Sequence, residues 1–412
     1  MEKELLEKGI RRIEWARAHM SVLGATSDRI KRRGKLRGLK IAMALHVEAK
    51  TACLALSLRD AGAKVRLASC NPMSTDDSVS LALREKYGLE TFARRGETNE
   101  EYYGNLNSVL DIGPDIVVDD GADLIAMLHT SRSELLADII GGNEETTTGV
   151  VRLRALSRAG KLRFPVLAVN DSYMKYLFDN RYGTGQSTMD GILNATNLLL
   201  AGKRFVVAGY GWCGRGIAQR AKGMGALVTV TEVDPIKAVE AAMDGFSVAT
   251  MDRAIRGADF VVTATGCRDV VTYDHMRHAK SGCVLANAGH FNLEVDVETL
   301  SRKCSVRSVR EYVDEYTFSD GRKIYLLGGG RLVNLVAGQG HPAEIMDLSF
   351  SLQARAAEFI AERGKKLEPG VHTLPREIDE ELARLKLKSM HAGIDRLSPA
   401  QKRYLSLWSE GT

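Results

Sequence analysis

Eight short apolar runs spaced over residues 39–290 constrain this chain more than any other feature. They are LKIAMAL (39–45), KVRLAS (64–69), DIVVDD (115–120), FPVLAVN (164–170), RFVVAGY (204–210), LVTVTE (227–232), FVVTATG (260–266) and CVLANAG (283–289). Most are apolar throughout rather than alternating, as strands buried on both faces of a parallel sheet are. Helical patterns separate them. The chain reads as α/β, with two doubly wound, Rossmann-like parallel sheets and a helical C-terminal tail. RYGTGQSTMD (181–190) interrupts the pattern with two glycines and polar residues, which predicts a domain boundary there. The expected division is 1–182 and 183–342, with 343–390 packing back onto the first unit and 391–412 as the tail.

The flanks add helices. Leu6, Ile10, Ile13, Arg17 and Met20 recur at helical spacing among mixed charges. That predicts a helix docked on its own protein rather than a signal peptide or a membrane-surface helix. AEIMDLSFSLQARAAEFIAERG (343–364) reads as one helix ending at Gly364. Near the end, Ser398, Pro399 and Gln401 make a capping box, and Leu405 and Trp408 are left to face a core or a partner subunit.

Composition excludes several classes. The 57 basic and 52 acidic residues leave +5, spread along the chain, so no nucleic-acid surface is expected. Six cysteines without a C-x-x-C pair predict no disulfide framework and a reduced, cytoplasmic setting. No apolar run approaches the roughly 18–20 residues that span a bilayer. The nine histidines show no metal-ligand spacing, His275 and His278 read as surface residues, and no metal is expected.

Polar residues collect after the strands: His46, Asp119 and Asp120, Asn170 and Asp171, Glu232, Gly266 and His290. Ligands of open α/β sheets bind beyond the carboxyl ends of the strands. Any single Asp or Asn there is an ordinary turn former. The whole set, with two histidines, points to two crevices facing each other. Gly209, Gly211 and Gly214 form G-x-G-x-x-G between a strand and a helix, and a second strand ends in Glu232. In that context the glycines allow a tight turn, backbone approach to a pyrophosphate and close helix–strand packing. Glu232 would accept both ribose hydroxyls and repel a 2′-phosphate, which favours NAD over NADP; the nearby cation Lys237 complicates that preference. Lys175 and Asp179 stand at i and i+4 in NDSYMKYLFDN (170–180). EETTTG (144–149) offers three hydroxyls at a helix start, for capping or for a ligand.

Taken together, LHVEAKTA (45–52), VDDGADL (118–124), EETTTG, NDSYMKYLFDNRYGTGQS (170–187), VVAGYGWCGRG (206–216), TEVDP (231–235), NAGHF (287–291), GRLVNL (330–335) and GHP (340–342) resemble the S-adenosylhomocysteine hydrolase family, in order and over almost the whole chain. The resemblance implies a cytosolic homotetramer with one tightly held NAD per subunit. Its reaction splits a nucleosyl-homocysteine thioether reversibly, by transient oxidation of the 3′-hydroxyl, elimination of the thiolate, water addition and re-reduction. It implies Lys175 and Asp179 at the 3′-hydroxyl, with Lys175 as general base at a pKa lowered by burial and opposed by Asp179. Asp120 is implied near C4′, Glu145 at the ribose hydroxyls, and His46 and His290 near C5′ as proton donors and water activators. Asn180 belongs near the nicotinamide. Thr146, Thr147, Thr148, Trp212, Cys213, Arg215, Gly216, Lys237, Ala288, Gly289 and Asn334 are implied at the cofactor, and His341 at the substrate entrance beside a hinge. Closure of the two domains, hinged near 181–190 and 340–345, is expected to exclude water.

The sequence also departs from this pattern. Thr184 stands where many members have cysteine, and no match is found to a C-terminal extension that reaches a partner's cofactor. Lys50, beside Glu48, stands where many members have an acid or amide that reads the nucleobase. An acid accepts from a 6-amino group, whereas lysine only donates and suits a 6-oxo group. S-adenosyl- and S-inosyl-homocysteine are therefore both carried as substrates. A more distant alternative, an NAD-dependent 2-hydroxy acid dehydrogenase, shares the glycine motif but has no need of EETTTG or NDSYMKYLFDN. A non-catalytic NAD sensor would be expected to lose His46, Asp120, Lys175, Asp179 or His290, and all are present.

Overall fold

The computed structural model describes residues 2–409. All eight apolar runs contain strands. The first sheet holds β1 (Lys40–Ala44), β2 (Lys64–Ala68), β3 (Glu90–Phe92), β4 (Ile116–Asp119), β5 (Gly141–Glu144) and β6 (Pro165–Ala168), joined by β15 (Gly370–His372). Its order is β15-β6-β5-β4-β1-β2-β3, with all pairs parallel. The second holds β7 (Arg204–Ala208), β8 (Leu227–Thr231), β9 (Ser247–Val248), β10 (Phe260–Thr263), β11 (Cys283–Asn287), β12 (Ser305–Arg310), β13 (Val313–Thr317) and β14 (Lys323–Leu327). Its order is β12-β13-β14-β11-β10-β7-β8-β9, and only the pairs involving β13 are antiparallel. Strand order reverses between β1 and β4 in one sheet and between β7 and β10 in the other. Those two switch points open the crevices in which ligands of such sheets bind.

The helix Ala343–Arg363 returns to the first sheet, where Leu348, Phe350, Leu352 and Ile360 join Ile41, Met43 and Leu167 in one core. The N-terminal helix Glu2–Ala18 packs on the same core against the helices Ala49–Asp60 and Asp77–Glu85, burying Ile13 and bringing Gly9 against the carbonyl of Ser78.

The segment 181–190 is helical rather than an irregular loop. Residues Tyr176–Gly183 form a π-helical stretch that runs directly into the helix Thr184–Thr196. Its glycines permit close approach: a Cβ on Gly185 would lie 2.6 Å from the Gly216 carbonyl oxygen, and one on Gly183 would lie 2.7 Å from His341 Nδ1. The tail helix Pro399–Ser406 has the expected capping box from Ser398 and Gln401. All described residues from 390 onward are exposed, so the helix has no docking place on its own chain. The last three residues of the expected tail, 410–412, lie outside the described residues. No helix among the described residues is long and apolar enough to cross a membrane.

Candidate active site

A cavity of about 1350 Å³ joins both crevices. Its volume exceeds the roughly 300–1,000 Å³ of a typical small-molecule pocket, so it has room for two ligands. Every residue expected at the site lines it except Gly214 and Gly216. Those two act as packing positions: a Cβ on Gly214 would strike the Gly209 carbonyl, as the motif predicts, and one on Gly216 the carbonyl of Arg181.

Lys175 lies at the floor. The π-helical winding that follows it has i→i+5 spacing, so the turn presents both Asp179 and Asn180 to one lysine. Lys175 Nζ donates to Asn180 Oδ1 at 2.9 Å and lies 3.2 Å from Asp179 Oδ1 and 3.5 Å from Glu145 Oε1. All four side chains are buried. Burial pulls the lysine down, but Asp179 and Glu145 outweigh it and hold the ammonium above the usual lysine range. The lowered lysine pKa expected from the sequence is thus reversed, because two carboxylates face one cation. Burial would raise Asp179, yet Lys175 and His341 hold it well below the usual carboxylate range. Burial pushes Glu145 up to about 8, against the pull of Lys175. Ser349 Oγ donates to Asp179 Oδ2 at 2.7 Å, and Gln353 Nε2 donates to Glu145. Both come from the returning helix, and sequence reading missed them because they look like small polar interruptions of an apolar face. His341 Nδ1 lies 3.2 Å from Asp179 Oδ1, so it touches the ionic cluster as well as lining the cavity.

A second cluster straddles the domains. Asp120, after β4, lies with Oδ2 3.5 Å from His46 Nε2 and Oδ1 3.7 Å from His290 Nδ1. His46 follows β1, and His290 follows β11 of the other sheet. Burial drives His46 down to about 4, despite Asp120, so its ring is neutral near pH 7. Ser74 Oγ, 2.7 Å from His46 Nδ1, and the buried thiol of Cys70, 3.3 Å from the same nitrogen, were not expected. The turn beneath is held by buried carboxylates. Asp119 accepts from the N–H groups of Asp120 and Ile125, and Glu144 accepts from Gly121 and Thr146. Burial lifts Asp119 to about 7. The trio His46, Asp120 and His290 is also compact enough to surround a cation, which the sequence spacing did not suggest. His275 is a half-buried capping residue and His278 is exposed.

The cofactor side is made of backbone and unmet donors and acceptors. Gly209 has φ +95°, the left-handed turn that glycine permits. Gly211 starts the helix Trp212–Gly223 with no side-chain cap, leaving its first N–H groups open to an anion. Its φ is −68°, and a Cβ there would meet nothing within 4 Å. The fold itself does not require that glycine, whereas a phosphate at the helix start would. Asn334 Oδ1 is buried without a partner while its Nδ2 donates to Ser187. Glu232, at the end of β8, accepts from the N–H groups of Tyr210, Val233 and Asp234 and faces the cavity. Lys237 pairs with Asp234 at 3.6 Å. Of the three threonines, Thr146 caps the helix Thr147–Arg158, Thr147 donates to Asn170, and Thr148 is left free to meet a ligand. The residues present fit a dinucleotide.

Residues 180–340 match the family model "S-adenosyl-L-homocysteine hydrolase, NAD binding domain", and residues 2–139 match "S-adenosyl-L-homocysteine hydrolase". The chain belongs to the S-adenosyl-L-homocysteine hydrolase family. It is an NAD-binding hydrolase of that family. An adenosylhomocysteinase of Thermoplasma acidophilum is 56% identical over 98% of this chain and 99% of its own. An S-inosyl-L-homocysteine hydrolase of Methanocaldococcus jannaschii is 55% identical over 99% and 98%. The adenosylhomocysteinase of Archaeoglobus fulgidus, at 56% over 98% and 100%, is as similar. Overall identity to these relatives does not separate the two base specificities.

Proposed function

We propose that this chain hydrolyses S-adenosyl-L-homocysteine reversibly to adenosine and L-homocysteine, residues 1–182 and 343–390 holding the nucleoside and 183–342 the NAD. A thioether is a poor leaving group on an unactivated carbon. Bound NAD supplies reversible oxidation of the ribose 3′-hydroxyl, which makes the C4′ proton acidic. Lys175, fixed by Asn180 and Asp179, donates to the 3′-oxygen. To accept the hydroxyl proton it first passes its own to a carboxylate. Glu145 lies 3.5 Å away, and burial raises its proton affinity, so in its ionised form it is the neighbouring carboxylate for which that transfer costs least. Asp120 Oδ1 has no hydrogen-bond partner and takes the C4′ proton. His46 and His290 protonate the departing thiolate and activate the water that replaces it.

One observation carries this reading. Two histidines from different domains meet at the two oxygens of one carboxylate, an arrangement suited to proton traffic at a single carbon–sulfur bond. Closure over the substrate, with the segments 181–190 and 340–345 as hinges, excludes water until it is needed. Thiol release measured beside absorbance at 340 nm tests the proposal. Release without lasting reduced nicotinamide is the expected result; lasting reduction without thiol belongs to a dehydrogenase and overturns it.

Lys50 favours a second substrate, S-inosyl-L-homocysteine. Its Nζ lines the cavity, donates to the Gln339 carbonyl at 2.7 Å and pairs with Glu48 at 2.6 Å. Glu48 is occupied as the cap of the helix Ala49–Asp60. The group left to meet the 6-position is therefore a donor, which suits an oxo group. The ratio of kcat/KM for the two nucleosyl-homocysteines decides between them. A homo-oligomer, a tetramer by family resemblance, and a cytoplasmic location belong to the same proposal. The tail supports the first by exposing Leu405 and Trp408, and light scattering of the purified protein tests it.

A further inference from the structure

Arg152 is absent from every role assigned above, yet it spans the two domains at the reacting centre. It projects from the helix Thr147–Arg158 and donates to the carbonyl of Gly121 and, at 2.7 Å, to Asp123 Oδ1. Its guanidinium lies 5.8 Å from the centre of the Phe291 ring on the cofactor domain, within cation–π range. Phe291 packs edge-on against the His290 ring, with centroids 4.7 Å apart. Gly121 is the other wall of that histidine. A Cβ at Gly121, whose φ is +105°, would lie 2.5 Å from His290 Nε2. Asp123 is itself fixed by the hydroxyl of the buried Tyr102 at 3.1 Å. One guanidinium thus holds both surfaces between which His290 is clamped, one through its N–H donors and one through its face.

We propose that Arg152 is a positioning residue for the protonation and hydration half of the reaction, orienting His290 through Phe291 and the Gly121 turn. This rests on the assignment of His290 as the acid–base group near C5′. Arg152 acts through a planar fork and a planar face at once, which lysine cannot supply. Arg152→Lys keeps the charge beside Asp123 and guards against loss of fold, while Arg152→Met removes both interactions.

Two partial reactions separate the outcomes: reduction of bound cofactor at 340 nm on adding the nucleoside, and thiol release from the nucleosyl-homocysteine. In Arg152→Met, thiol release is expected to fall about tenfold or more, at the low end of what acid–base groups contribute, with cofactor reduction changed less than about twofold. Arg152→Lys is expected to show most of that loss in kcat with KM little changed. In a His290→Asn background, Arg152→Met should cost nothing further. Equal loss in both partial reactions, full activity in Arg152→Lys, or an undiminished further loss in the His290→Asn background would each overturn the proposal. If His290→Asn itself leaves thiol release intact, the reading of His290 has failed rather than the clamp.

Discussion

The two halves of the cavity are built from opposite materials. On the side of the first sheet, Lys175, Asp179 and Glu145 are buried charges or acids already engaged with one another, and the buried Asp120 lies between His46 and His290. On the side of the second sheet, the cradle is an uncapped helix start, an orphaned amide oxygen and a glycine with open space before it. The first half holds reactive groups in position before substrate arrives, and buried ion pairs hold such positions firmly once formed. The second half is incomplete as protein and is completed by what it binds. Substitutions on the first side should therefore damage chemistry while the cofactor stays bound, and substitutions on the second side should damage binding.

The largest effect is expected at Lys175. Lys175→Met removes the ammonium that faces both Asp179 and Glu145, and hydrolysis should fall about 10³-fold or more, within the range of acid–base groups. NAD should remain bound, as read by the cofactor recovered after gel filtration. Loss of cofactor together with activity would break the distinction between the halves.

Next comes the glycine pair in the cradle. Gly211→Ala is expected to leave the melting temperature of the cofactor-stripped protein within a degree or two, because the new methyl meets no protein atom. Its NAD affinity should fall at least tenfold, or about 1.4 kcal/mol. Gly214→Ala should instead lower that melting temperature, because its Cβ would sit 1.9 Å from the Gly209 carbonyl oxygen. Calorimetry of NAD binding and thermal melts of both variants measure the contrast.

The acid limb of stability sharpens the first half. His46 is held near 4 in the folded chain against 6.5 for an ordinary histidine. A histidine buried neutral favours the unfolded, protonated chain as pH falls. Stability should therefore be fully present above about 6.5 and be lost progressively down to about 4. In His46→Asn that part of the decline should shrink, as seen in denaturant melts at pH 7, 5.5 and 4.5.

Much of this was legible in the sequence, and the reasons differ from residue to residue. Buried parallel strands are continuous apolar runs, so β1, β2, β4, β6, β7, β8, β10 and β11 stand out. β5 does not, because GGNE has no apolar side chain. Its glycines exist for close packing: a Cβ on Gly141 would lie 2.9 Å from the Pro165 carbonyl and 3.0 Å from Ile360. The strands β12–β14 were missed because β12 is almost wholly exposed and β13 and β14 mix buried with half-buried positions, patterns that carry a weak signal. Lys175 and Asp179 were legible at i and i+4, but the π-helical winding that adds Asn180 was not, since no local pattern announces it. The sign of the Lys175 shift was missed because Glu145 reaches it across 30 residues of sequence. Residues that support others, such as Ser74, Ser349 and Gln353, carry no motif at all. Ser349 and Gln353 become visible only when the helix Ala343–Arg363 is laid across the first sheet, and Ser74 only when the loop after β2 comes beside His46.

The smallest effect is expected at the rim of the cradle. Lys237 lies near Glu232, where a free cation would invite the 2′-phosphate of NADP. In the structure its ammonium is turned to Asp234 at 3.6 Å, and both side chains are well exposed. Such a pair is worth about 0–1 kcal/mol. Lys237→Ala should therefore change the melting temperature little and shift the ratio of NAD to NADP affinity by less than about fivefold, the factor that corresponds to about 1 kcal/mol. Glu232→Gln should move the same ratio further, because it removes the charge that repels the phosphate while keeping an acceptor for a ribose hydroxyl. If Lys237→Ala moved the ratio more than Glu232→Gln, the cation rather than the acid would govern cofactor choice. The cradle would then depend on a mobile surface charge instead of the group that β8 and the turn amides hold in place.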